Sequence, residues 1–337
     1  MSIEVIMKKY GFYLAGLILL LFLFQPAKLF AQSGYKVVGS IDIGGEAKWD
    51  YLSVDPDSHR LYVSNATKIH IIDLTTNKVI GTISGLNGVH GIVVVPASGK
   101  GFISNGRSDN IVVFDLKTLK VIDSLTIPGK KPDAIIYDPF SKRVFSFNGG
   151  SANATAIDGM TGKVIGTVKL DGNPEFAASD EKGKMFVNLE KENAIESFDP
   201  ITLKVTAKWL IAPVESPSGL AIDLKNNRLF SAGGNKLMAI VNASTGNLLA
   251  SLPIGGRVDG AAFDQKMQLA FSSNGEGTMT IIKEASPDKF VVVENVTTLP
   301  GARTMAVDQS THKVYTLALI EKEKGKKSFG VLILEKK

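Results

Sequence analysis

A unit of about 42 residues recurs seven times between Trp49 and the C-terminus. A chain that repeats one motif at this period folds by setting copies side by side, because no single copy buries its own apolar face. The clearest mark is the aligned series YLSVD, GIVVV, AIIYD, EFAASD, GLAID, AAFD and TMAVD. Its last residues are Asp55, Val95, Asp138, Asp180, Asp223, Asp264 and Asp308, spaced 40, 43, 42, 43, 41 and 44 apart.

Each copy holds short runs of β-branched and aromatic residues separated by turn residues, which predicts strands. The anchored run is followed by RLYVS, GFISN, RVFSF, KMFVN, RLFSA, LAFSS or KVYTL, and then by a third run such as KIHIID or NIVVFD. A fourth run (KVIGTI, KVIDSL, KVIGTV, KVTAKW, NLLASL, FVVVEN) closes the first six copies and is missing from the seventh. Its counterpart lies at the other end of the chain, where Lys36 to Ile41 reads KVVGSI. An N-terminal strand that completes the last sheet is what a closed ring requires, since closure removes both open ends. The expected fold is therefore all-β, a seven-bladed β-propeller whose last blade is closed by the strand from about Tyr35 to Ile43. A β-helix would repeat at shorter intervals, and an α-solenoid would show a 3.6-residue periodicity that these runs lack.

Residues 1–31 read differently. Lys8 and Lys9 precede an apolar stretch from Gly11 to Phe24, followed by Gln25, Pro26 and Ala31, the three-part layout of a secretory signal peptide. The stretch is short for a membrane span, which needs about 20 apolar residues. The expected organisation is a signal peptide at 1–31 and a propeller at 32–337, with a periplasmic or secreted destination and no membrane association after cleavage. The chain has no cysteine, which excludes disulfides, thiolate metal sites and c-type haem. The net charge is +5, and removal of Lys8, Lys9, Lys28 and Glu4 with the leader leaves +3. A charge this small on a domain this size does not call for nucleic acid. A monomer is expected.

The stretch RLYVSNATKIHIIDLTTNKVIGTI (Arg60 to Ile83), with the blade openings KWDYLSVD, GVHGI, KPDAI, NPEFA, SPSGLAID, RVDGAAFD and GARTMAVD, resembles the YVTN-repeat, YncE-like propellers of bacteria from Tyr35 to Leu334. The resemblance implies an exported propeller with a binding role and brings no family-wide catalytic motif to carry over.

Counting back five residues from each anchor gives Asp50, His90, Asp133, Glu175, Ser218, Asp259 and Arg303. Repetition about an axis would turn these side chains toward one another at the channel mouth. There the carboxylates would raise each other's pKa unless a cation or donor intervenes, and Arg303 is placed to compensate Asp259 or Asp50. Trp49 stands beside the ring as an aromatic that would stack on a sugar or base or pack locally. Lys48, Lys131 and Arg257 flank it. The expected site takes a small polar ligand or a protein partner. His90, Asp133, Glu175 and Asp259 are the candidate ligands for a divalent metal ion, which is the one cofactor such a set suits. Such an ion would make a hydrolase or lyase using the acidic ring and His90 the alternative in class. A cell-envelope scaffold acting through its outer faces is the third reading. No GxSxG elbow or phosphate-binding glycine loop is present.

A second ring, ten residues after the anchors, comprises Asn65, Asn105, Asn148, Glu190, Gly233, Asn274 and Ala318. It is expected at the tips between second and third strands, with Asn-Gly as a tight-turn signal and the amides bordering the mouth.

Overall fold

The computed structural model describes residues 33–45 and 48–337, and the side chains of Trp49 and Lys324 lie outside the described residues, as does the expected leader at 1–31. The described chain forms seven four-stranded antiparallel sheets. Six of them use four strands in sequence order, and the seventh sets Tyr35–Asp42 beside Lys327–Lys336, then Val314–Glu321, then Met305–Val307. The chain is a seven-bladed β-propeller closed by its N-terminal strand.

Turn chemistry explains the repeated aspartates. At the turn from first to second strand, Asp55 Oδ1 accepts hydrogen bonds from the backbone N–H groups of Asp57 and Ser58. Asp264 does the same for Lys266 and Met267. These are Asx turns, in which a short carboxylate replaces a backbone acceptor. Where Val95 interrupts the series, the chain turns through a 3-10 segment, Pro96–Ser98, ended by left-handed Gly99. At the turn from third to fourth strand, Asp73, Asp115, Asp158 and Asp199 cap the N–H of a threonine three residues on, each within 3.0 Å.

The outer strands carry a second signature. In each blade the register skips one residue of the fourth strand: Ile80, Ile122, Ile165, Thr206, Leu249 and Val293. The N-terminal strand skips Val38 in the same way. It is thus a fourth strand in geometry as well as in wording, and a bulge on every edge blunts pairing with another chain.

Between each pair of neighbouring blades lies one apolar cluster. The cluster holding Ile41, Leu52, Leu61, Tyr315, Phe329 and Ile333 joins the last blade to the first. Full burial of each such side chain contributes about 1.5–3 kcal/mol, so the ring is held by its interfaces. Basic residues at the start of second strands add ties between blades: Arg60 donates to Leu116 O at 2.8 Å and Arg228 to Pro287 O at 2.8 Å. Trp209, on an outer strand, packs against Phe186 of its own blade and over Gly246 of the next.

Two expectations about the second ring are corrected. Ala318 lies within Val314–Glu321, paired with Gly330, because the last hairpin is longer than the others. Four residues separate Asn105 and Asn148 from the start of the next strand, so Asn-Gly does not form a two-residue turn. Asn105, Asn148 and Asn274 are buried and do not border the mouth. Their amides are spent on the hairpins: Asn148 Nδ2 donates to Asn153 Oδ1 and Thr155 Oγ1, and Asn274 Nδ2 to Thr278 Oγ1 and Thr280 Oγ1.

Candidate functional site

The side chains at the mouth are aimed by breaks in the inner strands. In Trp49–Asp55, Trp49 pairs with Asn65 and Leu52 with Val63, so that Asp50 and Tyr51 together face Ser64. The same two-against-one break falls at His90 and Gly91, at Asp133 and Ala134, at Glu175 and Phe176, and at Ser218 and Gly219. In the sixth blade Asp259 alone is skipped. A bulge turns a side chain out of the ladder and leaves backbone groups to be satisfied. Polar side chains on the second strands satisfy them. Ser64 Oγ accepts from the Asp50 N–H and donates to Tyr51 O, Ser104 Oγ accepts from the Gly91 N–H and donates to Asp133 O, and Asn188 Nδ2 donates to Ser218 O and Gly219 O. Two residues before the ring position, Gly88, Lys131, Ser216, Arg257 and Gly301 all have positive φ, so the loops enter the inner strands through a left-handed kink. Lys131, Ser216 and Arg257 hold it without being glycine, a strained conformation for residues with a Cβ.

The seven ring positions do not end up equivalent. His90 sits between two acids: Nδ1 makes a short hydrogen bond with Asp50 Oδ2 and lies 3.6 Å from Asp133 Oδ1. A Cβ on Gly106 would approach the His90 ring to 2.6 Å, so that glycine is the seat on which the imidazole rests. Across the mouth, Arg303 Nε pairs with Asp259 Oδ2 at 3.1 Å. Arg303 itself precedes the short inner strand Met305–Val307 instead of opening it. Ser218 Oγ donates to Val258 O at 3.3 Å, a tie to the neighbouring strand. Glu175 Oε1 accepts from Asn173 Nδ2 at 3.4 Å.

The acids and His90 act on one another's titration. Burial and the charges of Asp50 and Asp259 push the Asp133 carboxyl up to about 7, against the pull of His90. Burial, with Asp133 and Glu190, pushes Glu175 up to about 8. Burial lifts Asp259 to about 6, while Arg303 holds it down. For His90, burial favours the neutral ring but is outweighed by the Asp50 hydrogen bond and the surrounding acids, and its pKa rises. Near neutral pH the mouth therefore mixes protonated and ionised acids, presenting both donors and acceptors.

The residues form the floor of a depression. One cavity of about 800 Å³ is lined by His90, Asp133, Asn173 and Glu175, with Arg107, Lys130, Lys131 and Lys191 among its walls. A second, of about 440 Å³, shares His90 and Arg107 with it and reaches Lys48, Asp50 and Arg303. Beneath them Tyr51 of the first blade and Phe176 of the fourth meet across the axis, ring centroids 5.4 Å apart. Tyr51 also lies by the Asp133 carboxyl and opposes the upward shift of its pKa. Burial, followed by the charges of Asp133, Asp50, Asp259 and Glu175, raises the Tyr51 pKa well above its ordinary value. The mouth is thus a basin with an acidic floor and a basic rim, closed below by aromatic rings.

Of the residues expected to ligate a metal, the structure brings His90 and Asp133 together with Asp50. Among the described residues these three form the one group whose ligand atoms all lie within 4.8 Å of one another. Glu175 and Asp259 stand outside it. Sequence reading missed Tyr51, Phe176, Gly106, Arg107 and Lys191. The first two occupy the position after the ring residue, and large aromatics at a place held by glycine in Gly91, Gly219 and Gly260 were the available signal.

Comparison with known proteins supports the fold. No family model matches the chain. A putative BTB/POZ domain and WD-repeat protein, R783, of Acanthamoeba polyphaga mimivirus is 22% identical over 156 residues, covering 46% of this chain and 29% of the relative. The chain therefore spans under a third of that protein. Among solved structures, U3-55K superposes with a TM-score of 0.75 at 8% identity, over 89% of this chain and 98% of that one. Kuenenia stuttgartiensis hydrazine synthase gives a TM-score of 0.68 at 16% identity, over 81% and 95%. At these identities the likeness is one of fold alone.

Proposed function

We propose that this chain is a binding propeller that takes a small polar ligand at its channel mouth. The observation that carries the reading is the basin: side chains from five blades, Asp50, His90, Asp133, Glu175 and Asp259, converge on a floor closed below by Tyr51 and Phe176. A water-filled channel would need only local hydrogen bonds. Burial first, and neighbouring acids second, disfavour ionisation of Asp133, Glu175 and Asp259, a cost that a bound hydroxyl-rich or cationic group would relieve. The basic rim of Arg107, Lys131 and Lys191 would receive an anionic substituent of the same ligand.

The setting we propose for this binder is the periplasm or the extracellular space, with residues 1–31 as a cleaved leader and the mature chain acting as a monomer of the YVTN-repeat, YncE-like kind. The leader layout supports export, and the repeat wording from Arg60 to Ile83 supports the family. Intact-mass measurement of the exported protein would show an N-terminus at Gln32, whereas retention of Met1 in the mature product would count against cleavage.

The binding reading is tested by a thermal-shift screen of sugar acids, phosphorylated sugars and polyamines on the wild type and on Glu175→Gln. At 100-fold excess over Kd, a ligand raises stability by about 2.7 kcal/mol. At least one class should stabilise the wild type and lose that effect in the variant. Stabilisation that survives Glu175→Gln unchanged would place the ligand elsewhere.

A further inference from the structure

We propose that Asp50, His90 and Asp133 form a site for one divalent cation of the manganese or zinc kind. The inference deepens the reading of the mouth as a ligand pocket and rests on it.

The first ground is geometry. The three residues come from consecutive blades, and their ligand atoms lie within 4.8 Å of one another. Metal–ligand bonds of about 2.0–2.2 Å put neighbouring ligand atoms roughly 3.0–3.6 Å apart. The separation of His90 Nδ1 from Asp133 Oδ1 is 3.6 Å, so a cation between them needs little movement of either, while Asp50, now hydrogen-bonded to the same Nδ1, draws back as the cation replaces the shared proton.

The second ground is an orphan atom. Asp133 Oδ1 is buried and has no hydrogen-bond partner, although the carbonyl of the same residue accepts from Ser104 Oγ. A buried carboxylate oxygen without a donor is costly, and this one faces the imidazole from beyond hydrogen-bond reach. A cation supplies what the protein does not.

The third ground is the asymmetry of the ring. On the far side Asp259 already has an internal cation, Arg303. On the near side Asp50 and Asp133 share a single imidazole, His90. Two carboxylates with one imidazole suit a borderline ion, since imidazole disfavours calcium and carboxylate oxygens suit manganese and zinc. The remaining coordination positions would open toward the cavity, where a ligand oxygen or water completes the shell.

The test uses the full propeller, stripped with chelator, and Mn²⁺ alone as the probe. Titration should give one site per chain, and pulsed electron paramagnetic resonance should show a single directly coordinated imidazole nitrogen. His90→Gln should abolish the nitrogen coupling, and Asp133→Asn should weaken binding by more than about a hundredfold, beyond what loss of an outer partner does. Asp123→Asn, on an outer strand, should change neither, and unfolding midpoints of all variants show that each is folded. If His90→Gln is misfolded, Asp50→Asn with the same two readouts replaces it. Binding without nitrogen coupling, or equal binding by Asp133→Asn, would mean an adventitious ion and overturn the site. Failure of Mn²⁺ and Zn²⁺ to bind, while a polar ligand still stabilises the wild type and not Glu175→Gln, would overturn the metal site and leave the pocket standing. Absence of both effects would remove both.

Discussion

Tyr35 offers the sharpest test of how the ring is closed. It belongs to the N-terminal strand, yet it is only 2% exposed and packs edge-on against Phe271 of the sixth blade, ring centroids 5.2 Å apart. Its hydroxyl donates to His312 O at 2.7 Å. Tyr35→Phe keeps the ring and removes one hydrogen bond, which should cost about 1 kcal/mol. Tyr35→Ala also empties a core position and loses the aromatic pair, and such deletions cost about 3–5 kcal/mol. Urea unfolding followed by tryptophan fluorescence and by circular dichroism would read both values. Val38→Thr, at the bulge of the same strand, should stay within about 0.5 kcal/mol of the wild type, as surface changes do. A Tyr35→Ala protein as stable as the wild type would refute the view that this strand is the fourth member of the last blade and not an appended segment.

Three further outcomes are expected. Gly106→Ala would push the His90 ring off its seat, because the added Cβ meets it at 2.6 Å; ligand and metal binding should fall together while the unfolding midpoint changes little. Asn188→Ala should destabilise by about 2–3 kcal/mol in urea unfolding, since it strips Ser218 O, Gly219 O and Ser231 Oγ of a partner in a fully buried place. Glu284, on a buried stretch away from the mouth, is pushed up to about 7 by burial and then by the charge of Asp223. The folded state then holds a proton that the unfolded chain releases near 4.5, so stability from this group is greatest in acid and is lost as pH rises toward 7. Glu284→Gln, which mimics the protonated form, should flatten that part of the stability profile, and an unchanged slope would contradict the assignment.

The architecture was legible because its causes are local and repeated. Each anchor aspartate both dates the copy and caps its own turn, and KVVGSI at Lys36 to Ile41 names its own place in the last blade. Counting gave six of the seven ring residues, Arg303 excepted, their place near the start of an inner strand. Which members touch did not follow from it, because that depends on the bulges and on side-chain neighbours such as Gly106, which no spacing reveals. The asparagines show the opposite failure: Asn-Gly is a strong tight-turn word, but burial and the threonines at positions 155, 278 and 280 turned those amides inward. Tyr51 and Phe176 were hidden because residues at the same position in other blades are crowded against the neighbouring strand. A Cβ at Gly219 would meet Ala261 N at 2.4 Å, so only blades with a different local path carry a large ring there.

The central claim is that side chains from separate blades share one enclosed mouth, and the titration of Glu175 tests it most directly. Carboxyl carbon NMR on metal-free protein should place its pKa at about 8, with a fall toward the ordinary range in Asp133→Asn as one neighbouring charge is removed. A Glu175 that titrates as an ordinary surface carboxylate, indifferent to Asp133, would contradict the account.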